Sequence, residues 1–151
     1  MVGLPCSGKT TRARQLEKEL PAVRFTPHDW HVRLFGDDLE HPEHDLRHEV
    51  IEGLLWNLAK NLLSQSVSVI LDFGFWSREE REKFRGDAAQ LGAKTVVHYD
   101  HVSNDELFAR LHARNNHRPS GSFTISPSTL LAYMKLFEPP SPEELNNQSP
   151  D

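Results

Sequence analysis

The sequence predicts an α/β domain, a parallel sheet covered by helices on both faces. Three observations carry that prediction. Short apolar runs of strand type alternate with longer stretches of helical period. A glycine-rich stretch, Gly3-Leu4-Pro5-Cys6-Ser7-Gly8-Lys9-Thr10, stands at the head of the first helical stretch. The chain has 151 residues, enough to bury one core and a normal size for one domain.

The glycine-rich stretch satisfies every fixed position of the phosphate-binding pattern G-x-x-x-x-G-K-[ST]. Such a loop turns successive backbone N–H groups inward as a nest for an anion. Gly3 and Gly8 permit the turn, Lys9 reaches the β and γ phosphates, and the Thr10 hydroxyl holds Mg²⁺. The whole run, with Thr11 after it, is the expected nucleotide site, and the N-terminus of the following helix adds its positive end. That helix is expected from Lys9 to Leu20, with Ala13, Leu16 and Leu20 on one face and Pro21 as its stop. The strand that should lead into the loop is nearly absent, since only Met1 and Val2 precede Gly3. The expectation is that the native strand begins upstream of Met1, or that the chain is shortened there, because a central strand normally buries several large apolar side chains.

Ala22 to Phe25 reads as the next strand, ending at Thr26-Pro27, so Asp29 falls on the rim outside its carboxyl end, where open parallel sheets bind ligands. A short helix from Trp30 to Phe35, closed by Gly36, and a polar loop from Asp37 to Pro42 follow. Glu43 to Ser64 is the longest helix. Its apolar residues Leu46, Val50, Ile51, Leu54, Leu55, Leu58, Leu62 and Leu63 recur at threes and fours, and Gly53 suggests a close approach. Val67 to Leu71 reads as a fully buried strand that delivers Asp72 to the same rim. Ser77 and Glu80 form a capping box opening a helix to Leu91, with Gly92 as stop. Thr95 to Tyr99 reads as another strand, and Ser103 with Glu106 caps a helix that carries Arg110, Arg114 and Arg118 on one face. Ser126 and Pro127 start a last helix to Phe137. The expected division is a domain over 1–138, with a lid around 110–126, and an irregular tail over 139–151.

Composition excludes some functions. There is no apolar span of 18 residues and no charged-then-apolar secretory leader, so neither a transmembrane helix nor a signal segment is expected, and the cytoplasm is the default location. A single cysteine, Cys6, rules out an internal disulfide. The net charge of −5 argues against broad nucleic-acid binding, which depends on neutralising phosphates. The oligomeric state is left open.

Phosphoryl transfer needs positioned phosphates, a metal, spread positive charge and an oriented nucleophile. Lys9 and the loop supply the first, Thr10 and Asp72 are the metal candidates, and Arg110, Arg114 and Arg118 offer positive charge. Asp29 is the candidate base for an acceptor hydroxyl. Each has a plainer alternative: Asp29 as a helix cap, Asp72 as a partner of Lys9, the arginines as a solvated face. Phe73, Phe75 and Trp76 suit an acceptor pocket or ordinary core. His41, His44 and His48, interrupted by Pro42 and without cysteines, read as a surface cluster rather than a zinc site.

The segments GLPCSGKTT, RFTPHDW, VILDFGFWSREER and RLHARN through FEPP resemble the small bacterial P-loop predicted kinases, AAA-type ATP-binding proteins similar to polynucleotide kinases, chloramphenicol phosphotransferase and zeta toxins. The resemblance implies a P-loop NTPase fold and an ATP- and Mg²⁺-dependent kinase acting on a hydroxyl of a small molecule or nucleotide. It makes Asp29 the matching base, Asp72 the acidic residue after the third strand of such kinases, and the arginine row the lid. A nucleotide hydrolase and a non-catalytic ATP-binding module are the alternatives.

Overall fold

The computed structural model describes residues 1–117 and 123–146. Their elements run α1 (Lys9–Glu19), β1 (Ala22–Phe25), α2 (Pro27–Phe35), α3 (His44–Ser64), β2 (Ser68–Leu71), α4 (Arg78–Gln90), α5 (Asn104–His117), α6 (Pro127–Leu136) and α7 (Pro142–Asn146). β1 and β2 pair in parallel, with Ala22 opposite Ser68 and Phe25 opposite Leu71.

Alternation along the strands decides which helix covers which face. Ile70 and Ala22 pack with Ala13 and Leu16 of α1. Val69, Leu71 and Phe25 point the other way, against Ile51, Leu55, Trp56 and Ala59 of α3 and Ala88 of α4. The sheet is therefore covered on both faces, as the α/β reading requires. A further cluster joins Leu4 of the phosphate loop to Leu107 and Leu111 of α5, Phe123, Ile125, and Leu130 of α6. Ser77, Ser103 and Ser126 each accept the backbone N–H three residues on, at 3.1, 3.3 and 3.0 Å, so all three caps read from the sequence are formed.

Several expectations need correction. α2 starts at Pro27 rather than Trp30, because Pro27 takes the first helical position, where its missing N–H costs nothing. Thr95 to Tyr99 forms no strand. Val2 N donates to His98 O at 2.9 Å and bridges both Tyr99 and Gly74, but a ladder needs consecutive partners and Met1-Val2 supplies only this one. A cleft of about 530 Å³ separates Val69 to Leu71 from Thr95 to Val97. β2 is only partly buried, with Ile70 its one buried residue. α3 has two apolar stripes instead of one: Leu46, Val50, Leu54 and Leu58 are 51–61% exposed, and Gly53 faces open space. Past Pro139, α7 forms because Glu144 is drawn into a buried pair with Arg81, Nε to Oε1 2.7 Å and Nη2 to Oε2 3.2 Å. Arg118 and part of the expected lid lie outside the described residues.

Candidate active site

The loop from Gly3 to Gly8 owes its shape to backbone angles that few residues tolerate. Gly3 has φ +142°, Gly8 φ +99° and Cys6 φ +65°. At Gly3 a Cβ would come within 2.8 Å of Ser7 Oγ, so the turn excludes a side chain. Ser7 Oγ itself is buried and has no hydrogen-bond partner among the described residues. Ser7 N donates to Leu4 O at 3.2 Å, and Lys9 Nζ donates to the same carbonyl at 2.8 Å, which holds the lysine under the loop. Burial lowers the Lys9 pKa to about 8. Pro5, Cys6, Gly8, Lys9, Thr10 and Thr11 line one end of a cleft of about 900 Å³.

Asp72 closes β2 beneath that loop and is 6% exposed. Its backbone N donates to Phe25 O at 2.9 Å, so strand pairing fixes the carboxylate against the end of β1. Thr26 Oγ1 donates to Asp72 Oδ2 at 3.3 Å and in turn accepts from Arg24 Nη1. Burial pushes the Asp72 carboxyl up, while the Thr10 hydroxyl and Lys9 pull it down; the net direction is up. Asp72 Oδ1 is buried without a hydrogen-bond partner among the described residues. A buried orphan carboxylate oxygen beside a loop threonine is an oxygen donor set of the kind hard divalent cations take, so Thr10 and Asp72 fit Mg²⁺.

The arginines of α5 turn toward the loop rather than outward. Arg110 is held by Glu106 at 2.7 Å, and its Nη1 donates to Ser7 O at 3.3 Å and Cys6 O at 3.4 Å. Arg114 Nη1 donates to Cys6 Sγ at 3.9 Å and Nη2 to Phe123 O at 3.4 Å. Leu4 and the α5 leucines share one core cluster, which sets this register between helix and loop.

Asp29 stands in the first turn of α2 rather than in a loop, with its backbone N donating to Thr26 O at 3.1 Å. An acidic residue there suits the helix dipole, which is part of the capping alternative. Its side chain is nevertheless 44% exposed, lines the cleft that holds Lys9, Thr10 and Asp72, and lies 3.7 Å from Arg24 Nη1. Phe73 and Phe75 stack at 5.5 Å between centroids, and Trp76 packs on Tyr133; all four line the cleft, so the aromatic run is core on one side and cleft wall on the other.

The histidines are not a surface cluster. His44 is buried, and with His31, fully buried in α2, it converges on Asp38: His31 Nε2 and His44 Nδ1 lie 2.7 and 2.8 Å from Oδ1, and Arg47 Nη1 donates to Oδ2 at 2.8 Å. His48 Nδ1 is 3.1 Å from His31 Nδ1, whereas His41 only accepts the Glu43 N–H at 3.1 Å. His31, Asp38 and His44 are close enough to share a metal ion. Asp38, however, already accepts three donors including a guanidinium, which satisfies its charge without a cation. His31 and Asp38 escaped the sequence reading because their contacts, six to nine residues apart around a helix end and loop, follow no fixed spacing; the signal was a histidine one turn from the end of a short helix.

No helix among the described residues is long and apolar enough to cross a membrane. A family model described as an AAA domain matches residues 1–140. Comparison with curated proteins and with solved structures finds no match.

Proposed function

The chain belongs to the AAA domain family, and from that premise we propose that it is an ATP- and Mg²⁺-dependent phosphotransferase acting on a hydroxyl of a small molecule or nucleotide. The family is one of P-loop nucleoside triphosphatases and includes kinases. The observation that carries the reading is the buried Asp72 with its unpartnered Oδ1, set beside Thr10 and Lys9 under a phosphate loop and sharing a cleft with Asp29.

In this reading the loop N–H groups and Lys9 bind the phosphates, with Lys9 leaving the Leu4 carbonyl for the anion. Thr10 and Asp72 would hold the metal, which when bound neutralises charge that develops on the phosphates. Arg110 and Arg114, already at the loop, bear on the transferring group. Asp29 accepts the proton of the acceptor hydroxyl as its oxygen bonds to the γ-phosphorus and the bond to ADP breaks. One observation favours hydrolysis as a second reading: Asp29 is open enough that water reaches it as readily as an alcohol.

Mg-ATP turnover across a panel of alcohols and nucleosides tests this. ADP release that depends on the acceptor supports the kinase. Release without one supports the hydrolase, and tight binding with no release supports a nucleotide-binding module.

A further inference from the structure

The hydrogen bonds around Asp38 fix where the protons of three histidines lie. Burial pushes the Asp38 carboxyl up, but hydrogen bonds from His44, Arg47 and His31 hold it well below the usual carboxylate range, so it is an acceptor only. His31 Nε2 therefore carries its proton toward Asp38, and burial, the largest effect on this fully buried ring, lowers its pKa and so favours the form with that single proton. His31 Nδ1 is then a bare acceptor, and the donor at 3.1 Å is His48 Nδ1–H. A neutral His48 consequently has no proton on Nε2. That nitrogen stands 3.5 Å from Glu52 Oε1, and both residues line the cleft. Two acceptors facing each other have nothing to share unless a donor comes between them.

We propose that His48 Nε2 and the Glu52 carboxylate form a subsite for the ammonium group of the phosphate acceptor, so that the acceptor is an amine-bearing alcohol; the alcohol part rests on the kinase reading above. An ammonium has three donors and a positive charge, so one N–H meets Nε2 and another meets Oε1. Charge at this end of the cleft agrees. Burial and the neighbouring Glu52 push the Glu80 carboxyl up, a repulsion that a cation relieves. Among the described residues, the lysine and arginines that line the cleft, Lys9, Arg14, Arg110 and Arg114, all belong to the phosphate loop, α1 and α5. A second anionic group would meet Asp45, Glu49, Glu52 and Glu80. The groups that face His48 are His31 from α2, His44 and Glu52 from α3, and, through Glu52, Glu80 from α4.

The test uses the full chain with ethanolamine and an aminosugar as probes against neutral polyols and sugar phosphates. Long-range ¹H–¹⁵N spectra should show His31 protonated on Nε2 and His48 on Nδ1, with the His48 Nε2 resonance moved by the amine probes alone. In the turnover assay His48→Gln and Glu52→Gln should each raise KM for amine acceptors about tenfold or more with kcat nearly unchanged, the loss of one charge-assisted hydrogen bond. A His48 shift with no ADP release keeps the subsite and overturns the kinase. Turnover of neutral or phosphorylated alcohols in preference to amines, or no His48 shift with amines, overturns the subsite and leaves the kinase standing.

Discussion

Lys9 Nζ donates to the carbonyl of Leu4 at 2.8 Å, so the lysine that should meet a triphosphate is tied to the backbone of its own loop. Binding an anion exchanges that neutral partner for a charged one, and charge-assisted hydrogen bonds are roughly twice as strong. Lys9→Ala should therefore abolish measurable Mg-ATP binding by calorimetry while the thermal transition stays cooperative. Unchanged affinity would remove the loop from the nucleotide site.

The same lysine gives a pH signature. Burial lowers its pKa to about 8 from the usual 10.5, so between those values the unfolded chain carries the proton and the folded chain does not. Stability therefore rises with pH across that window and carries the full cost of the buried charge below about 8. A bound phosphate draws the pKa back up, so Mg-ATP binding near pH 8.5 should take up protons, roughly the half-unit or more that a group titrating there can supply. Calorimetry in buffers of different ionisation enthalpy reads that uptake, and it should vanish in Lys9→Ala.

Asp29 and the arginines separate binding from chemistry. Asp29 touches neither the loop nor Asp72 among the described contacts, so Asp29→Asn should keep ATP affinity and lower transfer to an acceptor by about 10²–10⁴-fold, the range for loss of a general base. Arg114→Ala should lower kcat more than affinity, since its charge bears on the transition state. Equal losses of affinity and rate in Asp29→Asn would point to a structural or metal-holding role instead.

Arg81 and Glu144 set the stability of the C-terminal segment. Both are buried, and Arg81 Nη1 also donates to Glu138 O at 2.8 Å and Phe75 O at 3.2 Å. Removing one partner strands a buried charge, so Glu144→Gln should cost about 3–5 kcal/mol in denaturant unfolding. Arg81 holds the Glu144 carboxyl below its usual 4.5, so this contribution is complete above that pH and fades as pH falls through the lowered folded value. The gap in Tm between wild type and variant should close in acid.

The sequence showed what is local. Capping serines, Pro27 and Pro127, and the glycine loop are each decided within a few residues, and those features formed. Asp72 was legible because a strand end is a fixed address at the rim of a parallel sheet. What was not legible depends on partners far along the chain. Thr95 to Tyr99 has strand composition but lacks a ladder partner beyond Val2, and α7 exists because Glu144 finds Arg81 63 residues away. The helical period of α3 was real, yet period alone does not tell how wide a stripe the core covers, so Leu46, Val50, Leu54 and Leu58 remain outside it. His31 and Asp38 carry no motif at all; they meet across the loop that follows α2, and His48 reaches His31 because α2 packs on α3.

Ser7 offers the sharpest test of whether the loop is built for a ligand. Its Oγ is buried with no partner, and it occupies the space that a Cβ at Gly3 would need, 2.8 Å away. For folding alone this hydroxyl is a burden, because an unsatisfied buried donor costs about 1–3 kcal/mol. Ser7→Ala removes the orphan with little change of shape, since only the hydroxyl is lost and the Cβ stays. The variant should therefore be as stable as the parent or more so, by up to about 1–3 kcal/mol in denaturant unfolding. If the hydroxyl is held for a phosphate oxygen, the same change should weaken Mg-ATP binding by about fivefold or more, one ordinary hydrogen bond. Stability and affinity would then move in opposite directions, which a residue kept for the fold does not do. Parallel measurement of unfolding and of ATP affinity decides it: a variant that loses stability and keeps its affinity would show that Ser7 serves the loop's structure and not its ligand.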